Sequence, residues 1–475
     1  MSEQAPSSLS PSTPALPGVR PNVLIVGAGL GGLTMALLLE KSNVPYTILE
    51  RAPAIKSLGS AHVLAENIAP LFQQLGIYEE FKSLGHLCRT AQMHDEHCHL
   101  DFVMDFEPRA TMGGGDGYII SRPTLHQMLY SKIPAEKIHL GKRVVALKQD
   151  ADKVTVQCKD NSVYEADILI GADGANSGVR QGFYKILKTE NKLPVSDDVA
   201  LPFNCLCLVG QTGTLDPEAF PELKKENSTF NSMSAAGKPF SWSTFVTKQN
   251  TLCWMVTQYL DQTMSKDEDR FRASDWGPEA AEAMCEEVRH FPIPNGGKPA
   301  TLGTLIDLTP KDLISKVVLE EKVFTTWYSG RTVLMGDACH KLSPSGGVGA
   351  VTAMHDAICL ANWINVLPST KVDKIERIFQ QYYEERFPIA QGAFRSSQLF
   401  NKINAKNFTG VTIRYIQRNM PAWIWTMLLK KMSLQRPQVS FLPRVEDRGT
   451  VPAAAQPSFT HTQAILERTQ GAMTI

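Results

Sequence analysis

No stretch of about 18 consecutive apolar residues occurs in this 475-residue chain, so a membrane-spanning helix is not expected. Neither sign of charge is in excess. Lys plus Arg and Asp plus Glu both number 48, so the basic surplus that marks nucleic-acid binders is missing and no nucleic-acid partner is expected. No CxxC pair occurs among the nine cysteines, and their odd number argues against a disulfide framework. The N-terminal segment lacks a basic start followed by an apolar core. Its Ser, Pro and Ala content describes a disordered tail over residues 1–21, not a secretion signal. These absences leave a soluble, cytoplasmic globular protein with reduced buried thiols, long enough for two or three domains.

Glycine, by contrast, sits where it carries information. Val23–Val26 is a fully apolar short strand, followed by Gly27-Ala28-Gly29-Leu30-Gly31-Gly32 and then by Leu33, Ala36, Leu37 and Leu39 at helical spacing. Tyr46–Leu49 is a second strand ending at Glu50, 18 residues beyond Gly32. This is a βαβ unit with a dinucleotide fingerprint in register. Gly27 turns the chain, Gly29 leaves room for a pyrophosphate, and Gly32 lets helix pack on strand. The helix start offers free N–H groups and a positive dipole end to the phosphates. An acid at Glu50 accepts from ribose hydroxyls and repels a 2′-phosphate, which favours FAD or NAD over NADP.

Two further turns have the same character. The strand Val163–Ile170 delivers Gly171-Ala172-Asp173-Gly174, where Asp173 either meets a ligand or caps the next helix. Val333, Leu334 and Met335 end at Gly336-Asp337. A loop with Pro344, Gly346, Gly347 and Gly349 then leads into a helix through Val351, Met354, Ile358 and Trp363. Arg122, between Tyr118–Ser121 and a helix opened by Pro123, suits either phosphate and ribose oxygens or a surface salt bridge.

The remainder reads more coarsely. His94–His99 (HDEHCH) has the look of a metal cluster, but no second ligand set stands at structural-zinc spacing. An exposed polar strand or turn is expected there, and no metal site. Arg143–Leu147, Lys153–Cys158 and Val163–Ile170 form an antiparallel insert. In the strands Leu201–Val209, Ser241–Thr247 and Thr251–Leu260, the aromatics Trp242, Phe245, Trp254 and Tyr259 make either a ligand wall or an ordinary sheet core. Helices are expected over Lys371–Phe400 and about Val411–Lys431. In the second, Trp423 and Trp425 beside Lys430 and Lys431 suit weak membrane-surface contact or a cap on a neighbouring domain. An irregular tail is expected from 441 to 475.

Three ordered motifs resemble those of class A FAD-dependent monooxygenases, the para-hydroxybenzoate hydroxylase-like family. They are GAGLGG ending at Glu50-Arg51, DILIGADGANSGVR, and RTVLMGDACHKLSPSGGVG, and the resemblance spans about Asn22–Ile364. Within that family the chain is most similar to epoxidases and hydroxylases of fungal-type terpenoid and polyketide secondary metabolism. The resemblance implies an α/β fold: a Rossmann-like FAD-binding domain (22–185 and 326–366), an interleaved mixed-sheet α+β substrate domain (186–325) and a C-terminal helical region (367–440). It implies tightly bound FAD, with NAD(P)H as transient co-substrate. Gly27, Gly29 and Gly32 would approach the pyrophosphate, and Glu50 would hold the adenosine ribose with Arg51 beside it in the cofactor site. Arg122 would contact FAD, Asp173 and Gly174 would serve both FAD and NAD(P)H, and Asp337 would bind the ribityl–phosphate region. Pro344, Gly347, Gly349 and Ala350 would line the isoalloxazine ring, where backbone N–H groups can stabilise negative charge. Val63 would be the small residue against the cofactor. Two positions depart from the family pattern: Val351 stands where many members have Asn, and Ala353 where they have Gly.

The implied cycle is reduction of FAD by NAD(P)H, addition of O2 at flavin C4a, and transfer of one oxygen from the hydroperoxide to an apolar or aromatic small molecule. No catalytic acid or base can be assigned; Tyr118, His340 and Arg395 are candidates without a placement. The same residues also allow a FAD oxidase or dehydrogenase reduced directly by its substrate. A non-catalytic flavoprotein-like binding protein is a third reading, and the intact turns at Asp173 and Asp337 argue against it.

Overall fold

The computed structural model describes residues 20–55, 61–234, 239–265, 278–296, 298–343, 347–403 and 415–473. All but the last two residues of the expected disordered tail lie outside them. A six-stranded sheet sets the first layer. Val23–Val26 runs parallel between Ile168–Gly171 and Tyr46–Leu49, with Val23 opposite both Ile168 and Tyr46. Ile138–His139 extends one edge; Thr332–Leu334 and the antiparallel Tyr328–Ser329 extend the other. Val23, Ile25, Ile168, Leu169, Ile170 and Val333 are all 0% exposed. Unbroken apolar strands of this kind are what a parallel sheet covered on both faces requires. Because the strands are parallel, those ending at Val26, Gly171 and Leu334 release all three glycine turns from one edge.

The second sheet has nine strands and is mixed. Its order is Ser315–Glu320, Pro202–Gln211, Leu252–Ser265, Phe240–Val246, Ser228–Ser234, His86–His94, Tyr118–Ser121 and Ala61–Leu64, with Leu100–Asp105 paired on His86–His94. Four of these strands fall inside 22–185, expected to be the first part of the FAD-binding domain, and they belong to the second sheet instead. A short strand's own pattern shows that it is a strand, not which distant strand it pairs with. Trp242 and Trp254 are buried, and donate their indole N–H to the Pro292 carbonyl (2.8 Å) and the Thr309 hydroxyl (3.0 Å). Together with Met284 and Leu305 they form an ordinary sheet core, while Phe245 lies in a separate cluster with Cys88, Ile119 and Cys253. The antiparallel insert forms as expected, from Val144–Gln149, Val154–Cys158 and Val163–Ala166.

The C-terminal part departs from expectation. Val372–Ile403 is one helix, as the pattern predicted, but residues 457–473 form a helix where an irregular tail was expected. That helix is held by polar contacts, which hydrophobic periodicity cannot reveal: the Ser458 hydroxyl donates to Glu385 at 3.0 Å, and the Thr462 and Ser440 hydroxyls lie 2.6 Å apart. The chain between is also docked. Arg436 pairs with Asp447 at 2.8 Å, and Gln74 binds both N–H and C=O of Val439 at 2.9 Å. In the helix Ala422–Met432, Trp425 caps the second sheet by donating to the Asp105 carbonyl at 2.9 Å, while Trp423 is 68% exposed. Among the described residues no helix is long and apolar enough to cross a membrane. All nine cysteines are unpaired, and burial holds the thiol of Cys253 protonated.

Candidate functional site

The first glycine turn closes on itself. Gly27 has φ +109°, and a Cβ there would meet the Ala172 carbonyl oxygen at 2.4 Å. A Cβ on Gly32 would meet the Gly27 carbonyl oxygen at 2.0 Å. Gly29 is different: nothing lies within 4 Å of the place its Cβ would take. It opens the helix Leu30–Lys41 with no side-chain cap, which leaves first-turn N–H groups for a ligand. The Glu50 carboxylate accepts from the N–H groups of Ala28 and Ala52, both at 2.9 Å, and Arg51 is exposed beside it. His126, in the helix Arg122–Tyr130, binds the Ala28 carbonyl through Nε2 at 2.7 Å. Sequence reasoning missed it, because a lone His inside a helix gives no signal.

At the second turn, Asp173 accepts from the N–H groups of Gly178 (2.7 Å) and Val179 (3.2 Å). It therefore does cap the helix Gly178–Thr189. Its other oxygen, Oδ1, is buried and, among the described residues, has no hydrogen-bond partner; burial raises the pKa of the carboxyl against the opposing pull of Ser177 and the helix N–H groups. Gly174, at φ +81°, again borders open space. Arg180 ties this turn to the third. Its guanidinium donates to the carbonyls of Ala175 (2.5 Å) and Ala338 (2.7 Å), and lies 4.2 Å from the Phe324 ring centre.

The third turn is braced from the core. Asp356, fully buried, accepts from the Gly336 N–H (3.0 Å), His340 Nε2 (2.5 Å) and Arg386 Nε (2.8 Å). Burial alone would raise its pKa, but His340 and Arg386 outweigh it and hold the carboxyl down to about 2. Asp337 is half-buried and pairs with Lys341 at 2.5 Å. Pro344 lies outside the described residues. Gly347 and Gly349 border open space, and Gly349–Asn365 begins without a side-chain cap, with Ala350 half-buried in its first turn. Val351 packs into the core, 5% exposed. Ala353 fills the junction of two turns: Cβ atoms on Gly31 and Gly336 would stand 3.2 and 3.0 Å from its methyl.

Arg122 is surrounded by protein yet open to solvent, so it lines a cleft. Among the described residues it makes no ion pair or hydrogen bond. Burial lowers its pKa, and the charge of Asp337 works in the opposite direction. Val63 is 42% exposed in the strand Ala61–Leu64. Of the three acid–base candidates, His340 is locked against Asp356, Tyr118 stands edge-on to Phe81 with ring centres 5.6 Å apart, and Arg395 donates to Gln391 on its own helix. None is singled out as an acid or base.

The HDEHCH segment is a strand end and turn. Asp95 accepts from the backbone of His97 and His99 at 2.9 and 2.8 Å and from the His99 ring at 3.0 Å. Cys339, His340 and Asp356 do come within metal-ligating reach of one another, but Arg386 already supplies the positive charge there.

Open backbone at Gly29, Gly174, Gly347 and Gly349, two uncapped helix starts, an orphaned carboxylate oxygen and an unpaired guanidinium thus meet around one sheet edge. A long dianionic dinucleotide fits that set: N–H groups and Arg122 for its phosphates, acids for its hydroxyls. The family described as FAD binding domain matches residues 20–196 and 222–397. The chain belongs to this FAD-binding family. It is 29% identical over 401 residues to the FAD-dependent monooxygenase ptmM of Penicillium ochrochloron, spanning 81% of this chain and 89% of that protein. It is 25% identical over 405 residues to the FAD-dependent monooxygenase pyr5 of Aspergillus fumigatus, 81% and 83% of the two chains. The fold is similar to that of Klebsiella pneumoniae HpxO complexed with FAD and uric acid, with a TM-score of 0.69 at 19% identity over 88% of this chain and 97% of that one. The expected cofactor and the expected class of enzyme, an FAD-dependent monooxygenase, both stand.

Proposed function

We propose that this protein uses NAD(P)H and O2 to hydroxylate or epoxidise an apolar or aromatic small molecule in fungal secondary metabolism. The observation that carries this reading is the convergence of three glycine turns on one sheet edge, beside a second, nine-stranded sheet. When bound there, FAD supplies the redox chemistry, taking electrons from NAD(P)H and activating O2 for transfer of one oxygen atom.

The chain's own residues orient and enclose. Gly27–Gly32 and Glu50 hold the adenosine end, while Arg122 and Asp337 hold the middle of the cofactor. The uncapped start of Gly349–Asn365 presents N–H groups to negative charge on the reduced ring. On the substrate side, Phe230 and Phe245 stack with ring centres 5.5 Å apart, beside Ile119 and Ala61. With the exposed Val63 they form an apolar wall that keeps water from the reacting atoms.

The purified protein is expected to be yellow and to oxidise NAD(P)H in response to one member of a panel of prenylated and aromatic compounds. The product should carry one atom from labelled O2. A protein that stays colourless after incubation with FAD would overturn the reading. Reduction of the flavin by substrate without NAD(P)H would replace it with an oxidase or dehydrogenase.

A further inference from the structure

The strand Ala61–Leu64 stands at the border of the two layers, and its two faces look different ways. Val63 pairs with Ile119, which clusters with Cys88, Phe245 and Cys253 on the second sheet, and Ala61 packs against the same cluster. His62 pairs with Ile120, which belongs to the core of the FAD-binding layer, as does Leu64 two residues on. Strand alternation therefore turns Ala61 and Val63 to the substrate sheet, and His62 and Leu64 to the cofactor layer.

We propose that His62 binds FAD directly, its imidazole Nε2 hydrogen-bonding the flavin half of the cofactor. Val63, the residue that the family resemblance indicates, turns its side chain to the substrate instead. The inference rests on the FAD reading above and adds a residue to it.

Three observations carry it. His62 Nε2 is buried and, among the described residues, has no hydrogen-bond partner. A buried imidazole nitrogen left unpaired is costly, and the group that completes it belongs in the space it faces. That space lies on the cofactor side of the strand, where His62 pairs with Ile120, two residues before Arg122 at the start of the next helix. Burial first, and then Arg122, push the His62 pKa down to about 4, so the ring is neutral at working pH and can donate or accept without adding charge beside Arg122.

The test uses apoprotein of wild type, His62→Leu and His62→Asn, titrated with FAD and followed by flavin fluorescence and absorption. Wild-type binding establishes the cofactor; its absence would defeat the FAD reading itself, separately from this inference. Given wild-type binding, His62→Leu should weaken FAD affinity roughly tenfold and shift the flavin absorption bands, at unchanged far-UV circular dichroism. His62→Asn, which keeps a polar atom of similar reach, should recover most of the affinity. Wild-type affinity and spectrum in His62→Leu would overturn the proposal. So would a loss in both His62 variants alike, which would mean that packing rather than hydrogen bonding is at stake.

Discussion

Arg386 reaches from the helix Val372–Ile403 to Asp356 in the helix Gly349–Asn365, Nε to Oδ1 2.8 Å, with the carboxylate 0% and the arginine 2% exposed. The same carboxylate holds the backbone of Gly336, so this pair connects the C-terminal helices to the third glycine turn.

Removing one partner leaves a buried charge without its counterpart. Asp356→Asn and Arg386→Leu should each cost about 3–5 kcal/mol in urea unfolding of the apoprotein. The double variant Asp356→Leu/Arg386→Leu should cost less than the two single changes added together. Additive losses would show that the two side chains act independently.

Asp337 lies at the rim of the cleft and takes no part in that brace. Asp337→Ala should express as folded protein with FAD affinity lowered about ten- to a hundredfold, the range for a hydrogen bond to a charged group. Equilibrium dialysis against FAD checks it. Full occupancy in the variant would remove Asp337 from the cofactor site.

Gly29 and Gly32 should separate ligand room from packing. Gly32→Ala puts a methyl 2.0 Å from the Gly27 carbonyl oxygen, so it should lower both thermal stability and FAD binding. Gly29→Ala meets nothing in the protein and has an ordinary φ of −76°, so the apoprotein should melt within about 0.5 kcal/mol of wild type. Only its FAD affinity should fall. Equal melting losses in the two variants would contradict the open space at Gly29.

His355 gives the stability a pH dependence. It is buried, with Nε2 2.8 Å from the Asn67 carbonyl, and burial together with Arg386 pushes its pKa down to about 3. The unfolded chain takes up this proton below the ordinary value of about 6.5, while the folded chain does not until near 3. Stability contributed by the neutral ring is thus complete above about pH 6.5 and is lost as the pH falls through that window. Urea midpoints should decline between about pH 7 and 5, and less steeply in His355→Gln. An unchanged slope in that variant would assign the effect to other groups.

The cofactor half of the molecule was legible because its strands are short, wholly apolar and punctuated by glycine, so local pattern and topology agree. The second sheet was only partly legible. Ser228–Ser234 is polar in sequence yet forms a strand between His86–His94 and Phe240–Val246, a placement set by partners far away in the chain. His126, Arg180 and the Asp356–Arg386 pair were invisible for the same reason: each is defined by what it touches across the fold. Arg122 is exposed and, among the described residues, makes no ion pair, a state that its place in the sequence between a strand and a helix did not reveal.

Three turns from distant parts of the chain meet on one edge, so a cofactor bound across them is a cross-link without covalent bonds. A ligand that binds only the assembled state raises folding free energy by RT ln(1 + [FAD]/Kd), about 2.7 kcal/mol when free FAD is a hundred times Kd. The lifetime of the protein in a cell should therefore follow flavin supply, so that cells starved of riboflavin lose the enzyme by degradation as well as by inactivity.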